Sequence, residues 1–248
     1  MNNIGMAFIL TTVASFSTLL GTIPIFFKIK KEILIICFSL AFASGVMLSI
    51  SVIDLVPEAF ILLNNYNDIV KLLLIFFSIL LGIIVSNQID KGVFKLENNS
   101  LYRVGIISML AIIMHNVPEG IITFISTTKD VKLGMNLAFA IALHNIPEGI
   151  STSIPIYYST NSKIKAFICT FISGISELFG AIITYLFLSK IITNNILGLL
   201  LAITAGVMIY ISFIELLPNS LYYDNKRITT FAFIMGIVIV IMNLCFNI

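Results

Sequence analysis

Two six-residue phrases carry most of the chemistry in this chain: His115-Asn116-Val117-Pro118-Glu119-Gly120 and His144-Asn145-Ile146-Pro147-Glu148-Gly149. They hold the only two histidines among 248 residues. On a helix, residues four apart share a face and residues three apart are neighbours. His115 and Glu119 therefore converge, with Asn116 beside Glu119. His144, Asn145 and Glu148 repeat the arrangement. Imidazole and carboxylate together suit Zn²⁺, Fe²⁺, Mn²⁺ and similar ions. The expected chemistry is a divalent metal ion held by both phrases, with donors enough for two adjacent ions and a bridging glutamate.

Proline sharpens the expectation. Pro118 and Pro147 lack the N–H that would bond the carbonyls of Met114 and Leu143, one residue before each histidine. The spacing predicts helices that open there, and broken backbone at membrane depth is tolerated only where it is buried in protein or lines a cavity.

The surroundings make these polar groups costly. Each phrase sits in an apolar stretch of spanning length. A charged acid at a helix centre costs roughly 2.5–3.5 kcal/mol on insertion scales. Glu119, Glu148 and Glu177, the last midway along a third apolar stretch, would together cost on the order of 8–10 kcal/mol unpaired. No basic residue lies at matching depth in those stretches. A bound dication is the natural counter-charge.

Composition places the elements that must hold the phrases. The chain is 59% hydrophobic and 10% charged, with mean hydropathy +1.09. Soluble domains carry about a quarter charged residues, so this is an integral membrane protein. A net charge of +2, with its basic residues spread over short loops, makes no nucleic-acid patch. Cys37, Cys169 and Cys245 are far apart in apolar segments and read as small buried hydrophobes, not a redox or disulfide framework.

Apolar runs of about twenty residues mark spans. Eight are read, at roughly 4–27, 33–62, 69–89, 103–126, 133–157, 164–190, 195–221 and 228–247, in one transmembrane domain over residues 1–248. Residues 1–27 lack a basic leader and read as a spanning helix rather than a cleavable signal. Residues 90–102, with Asp90, Lys91, Lys95 and Glu97, read as the longest loop. The loops after spans 1, 3, 5 and 7 carry ten Lys or Arg: Lys28, Lys30, Lys31, Lys91, Lys95, Arg103, Lys163, Lys165, Lys226 and Arg227. The other loops carry four: Lys71, Lys129, Lys132 and Lys190. Basic loops stay inside, which puts both termini outside.

A longer repeat joins spans 2 and 7. Ala41 to Glu58 reads AFASGVMLSISVIDLVPE and Ala202 to Asn219 reads AITAGVMIYISFIELLPN, identical at nine of eighteen positions. By the loop charges the two copies cross the membrane in opposite senses, the mark of an inverted repeat in transporters. It places Asp54 near the outer end of span 2 and Glu215 near the inner end of span 7, one acid for entry and one for exit of a cation.

These segments together resemble the ZIP family of divalent-metal transporters, especially its bacterial zinc-uptake branch. The resemblance rests on the two His-Asn-x-Pro-Glu-Gly phrases, the Gly-Val-Met segments of spans 2 and 7, and Ser173-Gly174-Ile175-Ser176-Glu177. It implies an all-α integral membrane fold of eight transmembrane helices in a 3+2+3 arrangement, spans 1–3 and 6–8 forming an inverted repeat around spans 4 and 5. It implies a binuclear site. His115, Glu119, His144 and Glu148 would hold one ion, and Asn116, Glu119, Asn145, Glu148 and Glu177 the second, with Glu119 and Glu148 bridging. It further implies a homodimer and movement of metal into the cytoplasm across the cell membrane by sliding of a helix group. Residues 90–102 lack the histidine-rich loop that many members carry.

The reading is a divalent-metal importer, zinc first and iron, manganese, cadmium or cobalt behind it, working by alternating access. No catalytic residue and no resident cofactor is expected; the metal is cargo. The competitor is a membrane-embedded metal-dependent hydrolase, whose metal would activate water. Such an enzyme has no need of an inverted repeat. A proton-coupled solute carrier is a third reading, but two full ligand sets exceed what a proton relay requires.

Overall fold

The computed structural model describes residues 3–27, 31–96, 100–188, 191–223 and 225–246, with side chains for all of these except 94–96, 188 and 243–246. Lys28, Lys30, Lys95, Glu97, Lys190 and the thiol of Cys245 lie outside the described residues and side chains. Every regular element among the described residues is helical. Eight rods follow one another: α1 (Asn3–Phe26), α2 (Glu32–Leu62), α3 (Asp68–Leu96), α4 (Ser100–Lys129), α5 (Val131–Thr160), α6 (Lys163–Phe187), α7 (Asn194–Tyr222) and α8 (Lys226–Phe246). Six of them, α1 to α4, α6 and α7, are long and apolar enough to cross a membrane. The rod α5 falls outside that count although it is 30 residues long, because His144, Asn145, Pro147 and Glu148 dilute its hydropathy.

Local sequence sets the rod ends. Asp130 Oδ1 accepts from the amides of Lys132 at 2.8 Å and Leu133 at 3.3 Å. That is an N-cap, and it starts α5 one residue after α4 stops. Asn161 then closes α5 in the left-handed region, at φ 51°, which asparagine tolerates. Ser162 and Thr193 cap α6 and α7. The expected loop at 90–102 shrinks, because α3 runs on to Leu96 and α4 begins at Ser100. Asp90 and Lys91 are therefore helical.

Proline acts differently in the two kinds of motif. Pro57 and Pro218 each follow a π-helical segment, Ser51–Leu55 in α2 and Ile211–Leu216 in α7. The proline ring and missing N–H reject the carbonyl four residues earlier, and the helix widens there. Single-turn π segments are rare and frequent at functional sites, and these two contain Asp54 and Glu215. Pro118 and Pro147, by contrast, lie within unbroken α4 and α5, as does Pro155. The expected opening of the helices at the two phrases is thus corrected: one backbone bond is lost at each, and the turns on both sides hold.

Packing repeats in pairs. The rods α2 and α8 lie together as do α7 and α3, and α5 lies on α1 as α4 lies on α6. Glycine permits the closest approaches: the carbonyl of Phe233 sits over Gly45 and that of Ile79 over Gly206, their repeat-related positions. Likewise the carbonyl of Glu177 covers Gly120, and that of Thr18 covers Gly149. Ser44 Oγ donates to the carbonyl of Ser212 at 3.0 Å, while the carbonyl of Ala59 approaches Gly198. These contacts make α2 and α7, the two copies of one sequence, antiparallel.

Candidate metal centre

The two phrases face each other across the α4–α5 interface. All seven residues that sequence assigns to the metal are buried, His144 being the most exposed at 8%. The pairing is crossed rather than within one helix. His115 Nε2 lies 2.9 Å from Glu148 Oε1, and His144 Nε2 lies 3.5 Å from Glu119 Oε1. Neither approach has hydrogen-bond geometry, and both carboxylate oxygens of Glu119 and of Glu148 are left without a hydrogen-bond partner. Buried polar atoms in proteins are nearly always paired. The four carboxylate oxygens lie between two imidazoles with no hydrogen-bond partner, donors of the type that a cation takes.

Neighbouring helices fix the amides. Asn116 Nδ2 donates to the carbonyl of Ser173 in α6 at 3.1 Å. Asn145 Nδ2 donates to the carbonyl of Ala14 in α1 at 3.0 Å and to Glu177 Oε2 at 2.9 Å. Anchored through nitrogen, each amide keeps Oδ1 buried without a partner, as is Glu177 Oε1. The hydrogen bond from Asn145 places Glu177 beside that amide. Among the described residues no three His, Cys, Asp or Glu side chains surround one point as a finished metal cage. The donors stand as two crossed pairs with Glu177 beside them.

The two flanking acids part company. Asp54 lines two small clefts with His144, one of about 110 Å³ that includes Pro147 and Leu143, and one of about 40 Å³ that includes Glu119 and Ile122. The smaller exceeds a water's share of liquid volume, about 30 Å³. Glu58, which sequence did not single out, lines it too; its repeat partner is Asn219, so the pattern hid it. Glu215 instead lies 3.9 Å from Arg103 at the start of α4. Nineteen residues separate Arg103 from Ile122, about 28 Å of helix. Asp54 and Glu215 therefore lie toward opposite ends of α4, with His115 between.

Residues 96–243 match a family model described as ZIP Zinc transporter. The chain is 37% identical to a protein named Zinc transporter ZupT from Clostridium perfringens, covering 98% of this chain and 96% of that one. A Streptococcus mutans protein of the same name is 38% identical, covering 96% of each. A third, from Campylobacter jejuni, is 35% identical, covering 96% of this chain and 95% of its own.

Proposed function

Because the chain belongs to the ZIP family of zinc transporters, whose members carry metal rather than catalyse reactions, we propose that it imports divalent transition-metal ions, zinc first, through the α4–α5 centre. The crossed His115–Glu148 and His144–Glu119 pairs, buried with all four carboxylate oxygens short of hydrogen-bond partners, carry this reading. A dication entering between them replaces the imidazole as counter-charge to each carboxylate. His115, Glu119, His144 and Glu148 form one site. Asn116 Oδ1, Asn145 Oδ1 and Glu177, with Glu119 and Glu148 shared, form the second. Carboxylate and carboxamide oxygens exchange readily, which suits release.

The whole-chain arrangement follows from the same reading. The eight rods span the cell membrane in a 3+2+3 order, both termini outside, and the family resemblance adds a homodimer. Alternating access opens the centre first to the Asp54 end and then to the Glu215 end. The paired packing of α2 on α8 and α7 on α3 supports two related halves that move against α4 and α5. The hydrolase alternative loses its footing with the family assignment.

Purified protein in liposomes loaded with a zinc-sensitive dye tests the proposal. Zn²⁺ influx above empty vesicles is expected, and Glu119→Ala or His144→Ala should abolish it. Absence of flux for Zn²⁺, Fe²⁺, Mn²⁺ and Cd²⁺ alike would rule out the importer, and full flux in both variants would remove the site.

A further inference from the structure

A second polar cluster joins α3, α4 and α7, away from the two phrases. Arg103 Nη2 is 3.9 Å from Glu215 Oε1, and Glu215 is 1% exposed. The carboxyl of Asp90 faces that of Glu215. Tyr210 Oη donates to Asp90 Oδ2 at 3.0 Å and reaches Asn87 Oδ1 at 3.4 Å. Asp90 Oδ1 and Glu215 Oε2 are buried without hydrogen-bond partners. Two acids thus lie close together with one guanidinium beside Glu215, and with acceptor capacity left over.

The opposite end differs at the related positions. Asp54, the counterpart of Glu215, shares its clefts with Glu58, Glu119 and His144 and with no cationic side chain other than histidine. The phrase offset of 29 residues pairs Arg103 with Lys132, which is exposed. The clefts of Asp54 thus hold no lysine or arginine among the described residues, whereas a guanidinium stands beside Glu215. A guanidinium stays charged at any physiological pH, so proton loss cannot remove it; another cation can displace it. The guanidinium of Arg103 lies 3.9 Å from Glu215 Oε1. Its side chain is 20% exposed, and a long stem lets the head group swing toward water.

We propose that Arg103 is the resident counter-cation of the Asp90–Glu215 pair, closing the exit end and yielding its place to each departing dication. The returning guanidinium then expels the ion and keeps the two acids from trapping it. This rests on the transport reading above. It assigns Arg103 a positioning role at the exit, acting on the ion through Asp90 and Glu215.

Arg103 and Arg227 are the chain's only arginines, which permits a direct test on the unaltered protein. Phenylglyoxal modification of each, followed by mass spectrometry, is compared with and without saturating Cd²⁺. Modification of Arg103 should rise with Cd²⁺ while that of Arg227 stays level; an unchanged or reduced Arg103 signal overturns the proposal. Equilibrium dialysis of purified Arg103→Gln adds a count. It should retain one more Cd²⁺ per chain than wild type, Arg103→Lys should not, and adding Glu215→Gln to Arg103→Gln should remove the extra ion. In liposomes kcat of Arg103→Gln should fall about tenfold, equivalent to about 1.4 kcal/mol. A wild-type ion count in Arg103→Gln refutes the exchange, whatever its flux. Wild-type protein that carries no metal would instead sink the importer reading, while labelling and dialysis still decide the role of Arg103.

Discussion

His115 Nε2 stands 2.9 Å from Glu148 Oε1 across the α4–α5 interface, and both side chains are fully buried. Each phrase therefore supplies the partner of the other's histidine. The asparagines tie the same residues outward, Asn145 to α1 and Glu177, Asn116 to α6. The centre is thus held by four helices, although only two carry the phrases.

The pairing predicts strong energetic coupling without metal. Removing one member of a buried pair strands the other and costs about 3–5 kcal/mol. Chemical denaturation in chelator should show that loss for His115→Ala and for Glu148→Gln. The double variant should lose less than the sum, by about 0.5–3 kcal/mol. Additive losses would mean that the two side chains do not sense each other.

Asp54 lines both clefts with His144, and on the transport reading it draws cations toward the centre without being a ligand. Asp54→Asn should raise KM for Zn²⁺ more than it lowers kcat in the liposome assay. The effect should shrink as salt rises and screens the field. A change confined to kcat would place Asp54 in the translocation step instead.

Gly120 and Gly149 predict a packing effect shared by the two halves. A Cβ at either position would run into backbone, the carbonyl of Glu177 or that of Thr18. Backbone yields poorly, and overpacking typically costs about 1–3 kcal/mol. Gly120→Ala and Gly149→Ala should each lower thermal stability by that order and weaken Zn²⁺ flux. Gly92→Ala, where nothing lies within 4 Å, is the control.

Much of this was legible in the sequence because it is periodic or repeated. Apolar runs place the rods to within a few residues except at the end of α3, which runs seven residues past its expected limit, and the doubled phrase marks polar side chains that are buried. What stayed hidden depends on contacts between distant segments. The crossed partners of His115 and His144 follow from how α4 meets α5, which spacing within one helix does not reveal. Asp90 looked like a loop residue because Lys91, Asn98 and Asn99 follow it, yet α3 carries it to Tyr210 and Glu215. The prolines misled in the other direction. Pro118 and Pro147 promised breaks, but both lie in unbroken helix, between α4 or α5 turns pinned by close contacts at Gly120 and Gly149.

Asn145 carries the sharpest remaining prediction, because its amide touches both a main-chain carbonyl and a site carboxylate. Nδ2 donates to Ala14 O at 3.0 Å and to Glu177 Oε2 at 2.9 Å. Asn145→Asp keeps the shape but replaces this donor with an acceptor. Two lost hydrogen bonds and a new like charge beside Glu177 then act together in a buried setting. The metal-free protein should lose stability by several kcal/mol on these grounds. Bound dication should return much of it, since the added carboxylate is a further ligand and ligand binding stabilises by RT ln(1 + [L]/Kd). The gain in melting temperature on adding Zn²⁺ should therefore be larger in Asn145→Asp than in wild type. An equal or smaller gain would show that the metal does not approach Asn145, and would reduce the centre to the His115, Glu119, His144 and Glu148 set.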